Sequence, residues 1–265
     1  MTNWAGNQRI GVVIIGAMAI VIAVLVVLLM NPDEVNENGN GNGADVDFPS
    51  TLESGTPVAG QVDAVNASDC WSEDDRIAVD EDADNEGLYP QWESPPEMVI
   101  DEDASYRAIV TTNKGDMTFD LNSEAAPATV NAFVCLVVNG YYEITPFHRV
   151  MAGFMVQGGD PTGTGGGGPG FQTEDELPGD DLNYTRGTLA MANAGPDTQG
   201  SQFFIVHEDS TDALQKLYTI FGRLVEGEDV LDDIADSAVV PNQGGEPSRP
   251  VEFLVVEEIA IEIVP

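Results

Sequence analysis

Three observations predict a mainly β domain, a closed antiparallel barrel, over residues 106–265. Apolar and polar residues alternate in several short runs, helical spacing appears in only two separated stretches, and the segment TGTGGGGPGF carries too many glycines for regular structure. The domain opens with the alternating YRAIVTT, a turn at Asn113 to Asp116 and the alternating MTFDL, which together read as a hairpin. A helix follows: Pro127 suits a first-turn position, Val130, Phe133, Val134 and Val137 recur at helical spacing, and Asn139–Gly140 supplies a stop. Beyond the glycine-rich segment come several short strands and a second helical stretch near Glu226 to Asp236, with Val230, Leu231 and Ile234 inward. The last strand is EFLVVEEIAIEIV.

Residues 1–105 read differently. Ile10 to Met30 carry no charge and are almost wholly Val, Ile, Leu, Ala, Met and Gly. At about 1.5 Å per residue that is enough helix to cross roughly 30 Å of hydrocarbon. A transmembrane helix at 10–30 is expected, after a short cytoplasmic amino terminus at 1–9. A cleaved signal peptide, the competing reading, has a core of about 7 to 15 apolar residues ending at small side chains, whereas this run ends at Met30, Asn31 and Pro32. Arg9 precedes the span and Asp33, Glu34 and Glu37 follow it, which directs the bulk of the chain outside the cytoplasm. Residues 31–105 form an acidic, largely flexible linker. NENGNGNGADVD has too little apolar surface to fold, and acidic clusters interrupt every candidate core after it, so only WESPPEMVID is expected to pack against the domain.

The 46 acidic residues against nine basic ones, a formal net charge of -37, argue against nucleic acid or an anionic membrane surface as partner of the soluble part. So acidic a chain fits either a high-salt habitat or a self-repelling spacer. Residues 31–105, with 21 acidic side chains and one basic, fit the spacer, and for the domain both readings stay open. Two cysteines make no disulfide framework. Cys135 falls in a helical pattern and reads as a small buried hydrophobe, so a bridge to Cys70 is not expected. A metal site lacks ligands, and a monomer is the expected state.

Two segments carry the chemistry. FHRVMAGFMVQGGD begins at Phe147 and MANAGPDTQGSQFFI at Met191. They place Arg149, Gln157, Asn193 and Gln202 among Phe154, Met155, Phe203 and Phe204, the make-up of a shallow apolar pocket with a few hydrogen-bond donors. Phe203 reads as plain core packing, and His207, beside Glu208 and Asp209, as a solvated surface residue. The glycine run lacks the lysine and following helix of a phosphate cradle, and reads as a permissive loop beside the groove.

These segments resemble the signature segments of cyclophilins, the peptidyl-prolyl cis-trans isomerases. The resemblance runs from about Tyr106 to Val264, with YRAIVTTNKGDMTFDL at its front and LYTIFGRLVEGEDVLDDI toward its end. It implies an eight-stranded barrel capped by one helix at each end, isomerisation of X-Pro bonds, and proline-containing polypeptides as partners. Arg149 would be the donor to the proline nitrogen and Gln157 would orient it. Phe154, Met155, Phe204 and Leu214 would grip the proline ring, Ala192 and Asn193 would hold the substrate backbone, and Gln202 would lie beside the peptide. Of these, Arg149, Gln157, Phe154 and Asn193 are the catalytic candidates. The others, with His148 and Tyr218, are the substrate-binding ones. His148 invites an acid–base role, but bond rotation needs neither proton transfer nor cofactor, so its role is structural. The competing reading of Arg149 is a surface ion-paired arginine.

The chain departs from the family where many cyclophilins carry a tryptophan. That position falls at or near Ala213, and the usual histidine becomes Tyr218. Tyrosine keeps an aromatic wall, while loss of the indole removes a donor and a large contact face, which implies weak cyclosporin binding. Two other functions compete: a non-catalytic module or chaperone that grips proline segments, and an ion- or partner-binding acidic region, whose carboxylates lack the spacing of a calcium loop.

Overall fold

The computed structural model describes residues 65–77 and 89–264, all within one compact unit; the span expected at Ile10 to Met30 and the Asn-Gly run after it lie outside them. In chain order come α1 (Ala67–Cys70), a 3-10 turn (Glu73–Asp75), β1 (Ser105–Thr112), β2 (Gly115–Leu121), α2 (Pro127–Val138), β3 (Thr145–Pro146), β4 (Arg149–Met151) and β5 (Met155–Gly158). Then follow β6 (Thr188–Met191), β7 (Phe203–Val206), β8 (Ile220–Glu226), α3 (Glu228–Ala235), β9 (Val239–Pro241), β10 (Pro247–Pro250) and β11 (Val255–Val264). Nine strands form one antiparallel sheet in the order β3-β11-β1-β2-β8-β6-β7-β5-β4, and β9 pairs with β10.

The expected eight-stranded closed barrel is instead a curled nine-stranded sheet, a half-barrel whose edges β3 and β4 do not pair. Only Phe147 and His148 separate Pro146 from Arg149, so the two edges lie within about 11 Å of each other. The bend falls at Phe147 and His148: Phe147 is buried and its N–H, given to the carbonyl of Leu254, extends the β3–β11 register, whereas Arg149 already pairs with β5. Without that corner β3 and β4 would be one strand and the count would be eight.

The predicted hairpin is β1–β2, with Thr112 opposite Gly115 across Asn113 and Lys114. The predicted first helix is α2, with Pro127 in its first turn. Ala126 offers no side chain to cap it, and Glu176, far along the chain, does so by accepting from the N–H groups of Ala128 and Thr129 at 3.0 and 2.8 Å. Gly140, at φ 70°, ends it in the left-handed region while Tyr141 N–H returns to the Leu136 carbonyl. The second predicted helix is α3, with Leu231 and Ile234 buried and Val230 packed at the edge of the core.

Thr129 to Leu136 of α2 are buried on every side, because the chain before the domain covers the face the sheet does not. Asn131 accepts from the N–H groups of Val99 and Ile100 and donates to Glu97. More of that chain packs than expected. Val65, Cys70 and Trp71 are buried, and Trp71 stacks on Trp92 at 4.2 Å. Cys70 and Cys135 form a disulfide, contrary to the sequence expectation: the bridge joins α1 to the middle of α2, a meeting of residues 65 apart that no local pattern announces.

Period-two alternation then sorts the strands that matter for function. Val150, Val156, Leu189, Met191, Phe203, Ile205 and Phe221 face the main core, where Phe133 of α2 packs against Phe203 and Phe221. Met155, Ala190, Phe204, Val206 and Ile220 face the other way and make a second, smaller apolar cluster.

Candidate functional site

Residues opposite each other in an antiparallel ladder share a face. Arg149 lies opposite Gln157, Gln157 opposite Phe204, and Phe204 opposite Ala190. Three of the predicted site residues therefore stand in one row across β4, β5 and β7, on the face turned away from the main core.

Around Phe204 the apolar part assembles. Met155 and Phe204 are buried and form the floor; Phe154, Ala192, Leu214 and Tyr218 are partly buried around them. Tyr218 meets Phe204 edge to face at 5.5 Å. Its main chain is held through the hydroxyl of Tyr184, which donates to the Tyr218 carbonyl and accepts from its N–H. Five were predicted for the pocket and its aromatic wall and Ala192 for the substrate backbone, and all six lie in this one cluster.

Beside it runs a chain of oriented amides. Gln202 Nε2 donates to the carbonyls of Gly165 and Gly167, both at 3.0 Å, so its Oε1 faces Gln157 Nε2, also at 3.0 Å. Gln157 Oε1 is thereby turned toward Arg149 Nη1, at 3.4 Å. The glycine loop that receives Gln202 is folded round Asp160, whose buried carboxylate accepts from Thr162 N–H and Oγ1 and from the N–H groups of Gly165 and Gly167. A side chain at Gly167 would collide with that carboxylate, so only glycine fits. Gln157, Ala192, Asn193 and Gln202 line a groove of about 800 Å³ on this side, together with a wall of Gln91, Glu93, Ser94 and Pro95, which is tied to the glycine loop by Gln91 Nε2 to the Gly168 carbonyl and by the Trp92 main-chain N–H to the Pro169 carbonyl. The side chain of Asn193 is spent within the protein, on the Leu217 carbonyl and Gly195 N–H, so a peptide would meet its main chain.

Arg149 is ion-paired, as its competing reading held. Glu246, from the turn between β9 and β10, accepts from Nε at 2.7 Å and Nη2 at 2.9 Å. The pair draws the Glu246 carboxyl down to about 2 and raises the guanidinium above its ordinary value, in each case first through these hydrogen bonds. The contact takes one edge of the fork. Counting five N–H donors, two to Glu246 and one to Gln157 leave two, one on each Nη.

Neither histidine sits in this row. His148 lies against the glycine loop, with a Cβ on Gly165 coming within 3.6 Å of its ring, and its Nδ1 is buried without a hydrogen-bond partner among the described residues. Burial lowers its pKa below the ordinary 6.5, against the opposing pull of Asp160. The folded state therefore disfavours the proton. Stability is full above 6.5 and falls as pH drops below it, so the thermal midpoint should fall between pH 7 and 5.5, less steeply in His148→Leu. Equal slopes in the two proteins would refute this.

His207, expected to be a solvated surface residue, is instead buried. Its Nδ1 accepts from Gly153 N–H at 2.9 Å, leaving Nε2 to donate to Asp232 of α3 at 2.9 Å. The turn between β4 and β5 needs an acceptor there, a requirement invisible in the run His207-Glu208-Asp209. Sequence reasoning also missed Glu246 and Asp160, and it expected Trp92 to Asp101 to pack against the domain without placing that segment at the groove. Asp160 closes the first quoted segment and its carboxylate could have been flagged by the glycines after it; Glu246 had no distinguishing signal.

A family model described as cyclophilin type peptidyl-prolyl cis-trans isomerase/CLD matches residues 107–258. A Staphylococcus epidermidis protein whose provisional name is peptidyl-prolyl cis-trans isomerase is 41% identical over 191 residues, covering 61% of this chain and 94% of its own. A Staphylococcus aureus protein of the same provisional name is 39% identical over 186 residues, 59% of this chain and 91% of the relative. Among solved structures, the Cryptosporidium parvum cyclophilin type peptidyl-prolyl cis-trans isomerase is 35% identical, with a TM-score of 0.55, over 61% of this chain and 99% of that one. The same protein crystallised in the presence of the dipeptide Ala-Pro gives 36% and 0.54, over 59% and 98%.

Proposed function

The chain belongs to the cyclophilin-type peptidyl-prolyl cis-trans isomerases, and from that premise we propose that Arg149 is the group that accelerates the rotation. An X-Pro bond turns over tens to hundreds of seconds because amide resonance must be broken. As the bond twists, the proline nitrogen regains a lone pair and becomes an acceptor. A fixed donor that meets it only then lowers the barrier without tightening the ground state. The two N–H bonds of Arg149 left by Glu246 and Gln157 can fill that role. The floor of Met155 and Phe204 suits a proline ring, and the groove past Gln157 and Ala192 suits the preceding residues, in line with the Ala-Pro present with the solved relative.

The observation that carries this reading is the row Arg149, Gln157, Phe204, which sets a cation, the amide that orients it and the apolar floor side by side. The test is isomerisation of a proline peptide by the purified residues 58–265. An inactive protein that still binds the peptide would favour the second reading, a proline-gripping module, for which the Arg149–Glu246 pair is the supporting observation. Weak cyclosporin binding belongs to the same proposal, since Ala213 stands exposed where an indole would give a contact face.

We further propose that Ile10 to Met30 anchor the chain in the cytoplasmic membrane with the isomerase domain outside, serving folding there; the charge-free run and the flanking Arg9 and Asp33 support it. Protease added to intact cells should digest the domain, and a protected domain would refute the orientation.

A further inference from the structure

We propose that Glu246 is a positioning residue for Arg149, a reading that rests on the isomerase mechanism above. The β9–β10 turn holds a carboxylate against the rear edge of the guanidinium and so aims its free N–H bonds.

The geometry carries this in three steps. The contact is two-pronged, at 2.7 and 2.9 Å, which fixes the plane of the guanidinium as well as its place. The turn that carries the carboxylate is itself held. Asn242 Oδ1 accepts from the N–H groups of Gly244 and Glu246, Asn242 N–H donates to the Glu246 carbonyl, and Asn242 Nδ2 reaches the buried Ser248 and, at 3.4 Å, Glu246 Oε2. From the other side Gln157 meets Nη1, and its own orientation descends from Gln202 and the glycine loop. The guanidinium is thus gripped between two fixed groups on separate parts of the chain, and what stays free is one N–H on each Nη.

A device for stability would be built otherwise. Both partners are about one-third exposed, at 32% and 34% of their side-chain surface, and ion pairs so placed add little to stability. A latch that blocks the site would engage the end of the fork, whereas Glu246 takes the Nε edge.

The experiment compares wild type with Glu246→Ala, Glu246→Gln and Asn242→Ala. Glu246→Ala should lower kcat about tenfold at nearly constant KM, short of the roughly hundredfold that a full ångström of misplacement can cost. Glu246→Gln, which keeps an acceptor for one prong, should recover part of the loss, and Asn242→Ala should lose less than Glu246→Ala. Thermal midpoints should stay together. The Arg149 Nε–H resonance, slowed in exchange by its partner, should be visible by NMR in wild type and lost in Glu246→Ala. A kcat in Glu246→Ala equal to or above wild type would overturn the proposal, as would an unchanged Nε–H signal. Should wild type itself show no turnover, the isomerase mechanism fails, and the Nε–H signal with the peptide dissociation constants of the variants still decides whether Glu246 holds the guanidinium.

Discussion

Arg149→Ala should lower kcat/KM toward proline peptides by about 100- to 1000-fold, the cost of deleting one donor that acts on charge or a lone pair developing in a transition state. The loss should fall on kcat, with KM little changed, because a nitrogen that accepts no hydrogen bond while planar offers the guanidinium nothing to hold in the ground state. Arg149→Lys should recover little. A single ammonium cannot answer the two-pronged Glu246, reach Gln157 and still present an N–H to the proline. Measured by protease-coupled or NMR exchange assays, a variant within threefold of wild type would remove Arg149 from the mechanism and leave the apolar floor and groove as a binding surface alone.

The second large effect concerns stability. The Cys70–Cys135 bridge closes a span of 65 residues, so its reduction should cost about 4 kcal/mol by the chain-entropy account, in the usual range of about 2 to 5 kcal/mol for native disulfides. For a domain of this size that is a fall of roughly 8 to 16 °C in the thermal midpoint. The effect should be directional as well as large. Reduction frees the segment holding Trp71 from α2, and Trp71 is stacked on Trp92, whose main-chain N–H donates to the Pro169 carbonyl in the glycine loop. Loosening should therefore spread to the groove wall at Gln91 to Pro95 before the sheet opens, and tryptophan emission should shift red ahead of the main transition. Identical midpoints with and without reductant, or in the doubly substituted Cys70→Ser, Cys135→Ala protein, would show that the bridge adds nothing to the fold.

Much of the site could be read in advance because its parts are short-range. Arg149 and Gln157 lie eight residues apart on a hairpin, Met155 and Gln157 alternate with Val156, and Phe204 alternates with Phe203, so a period of two already divides pocket from core. α2 and α3 were legible for the same reason, their apolar spacing and the Pro127 and Gly140 ends of α2 being local, whereas α1 fell in the stretch read as linker. Other features were not. That β3 and β4 fall on opposite edges of the sheet depends on Phe147 staying with β11 through Leu254 while Arg149 pairs with β5, and Leu254 lies at the far end of the domain. That the chain around Trp71 packs at all depends on a bridge and a ring stack with partners far along the chain.

By itself, then, the sequence determined the alternation, the helix ends and the type of chemistry that one arginine among phenylalanines can do, because these depend on neighbours within a few residues. Only the tertiary structure decided which carboxylate of 46 acidic residues meets that arginine. Glu246 is 97 residues away from Arg149, and nothing in its own surroundings marks it out from the other acids. Pairing at that range is set by how the sheet curls and where a single turn is carried, and the curl sums small twists over nine strands that no stretch of the chain encodes alone.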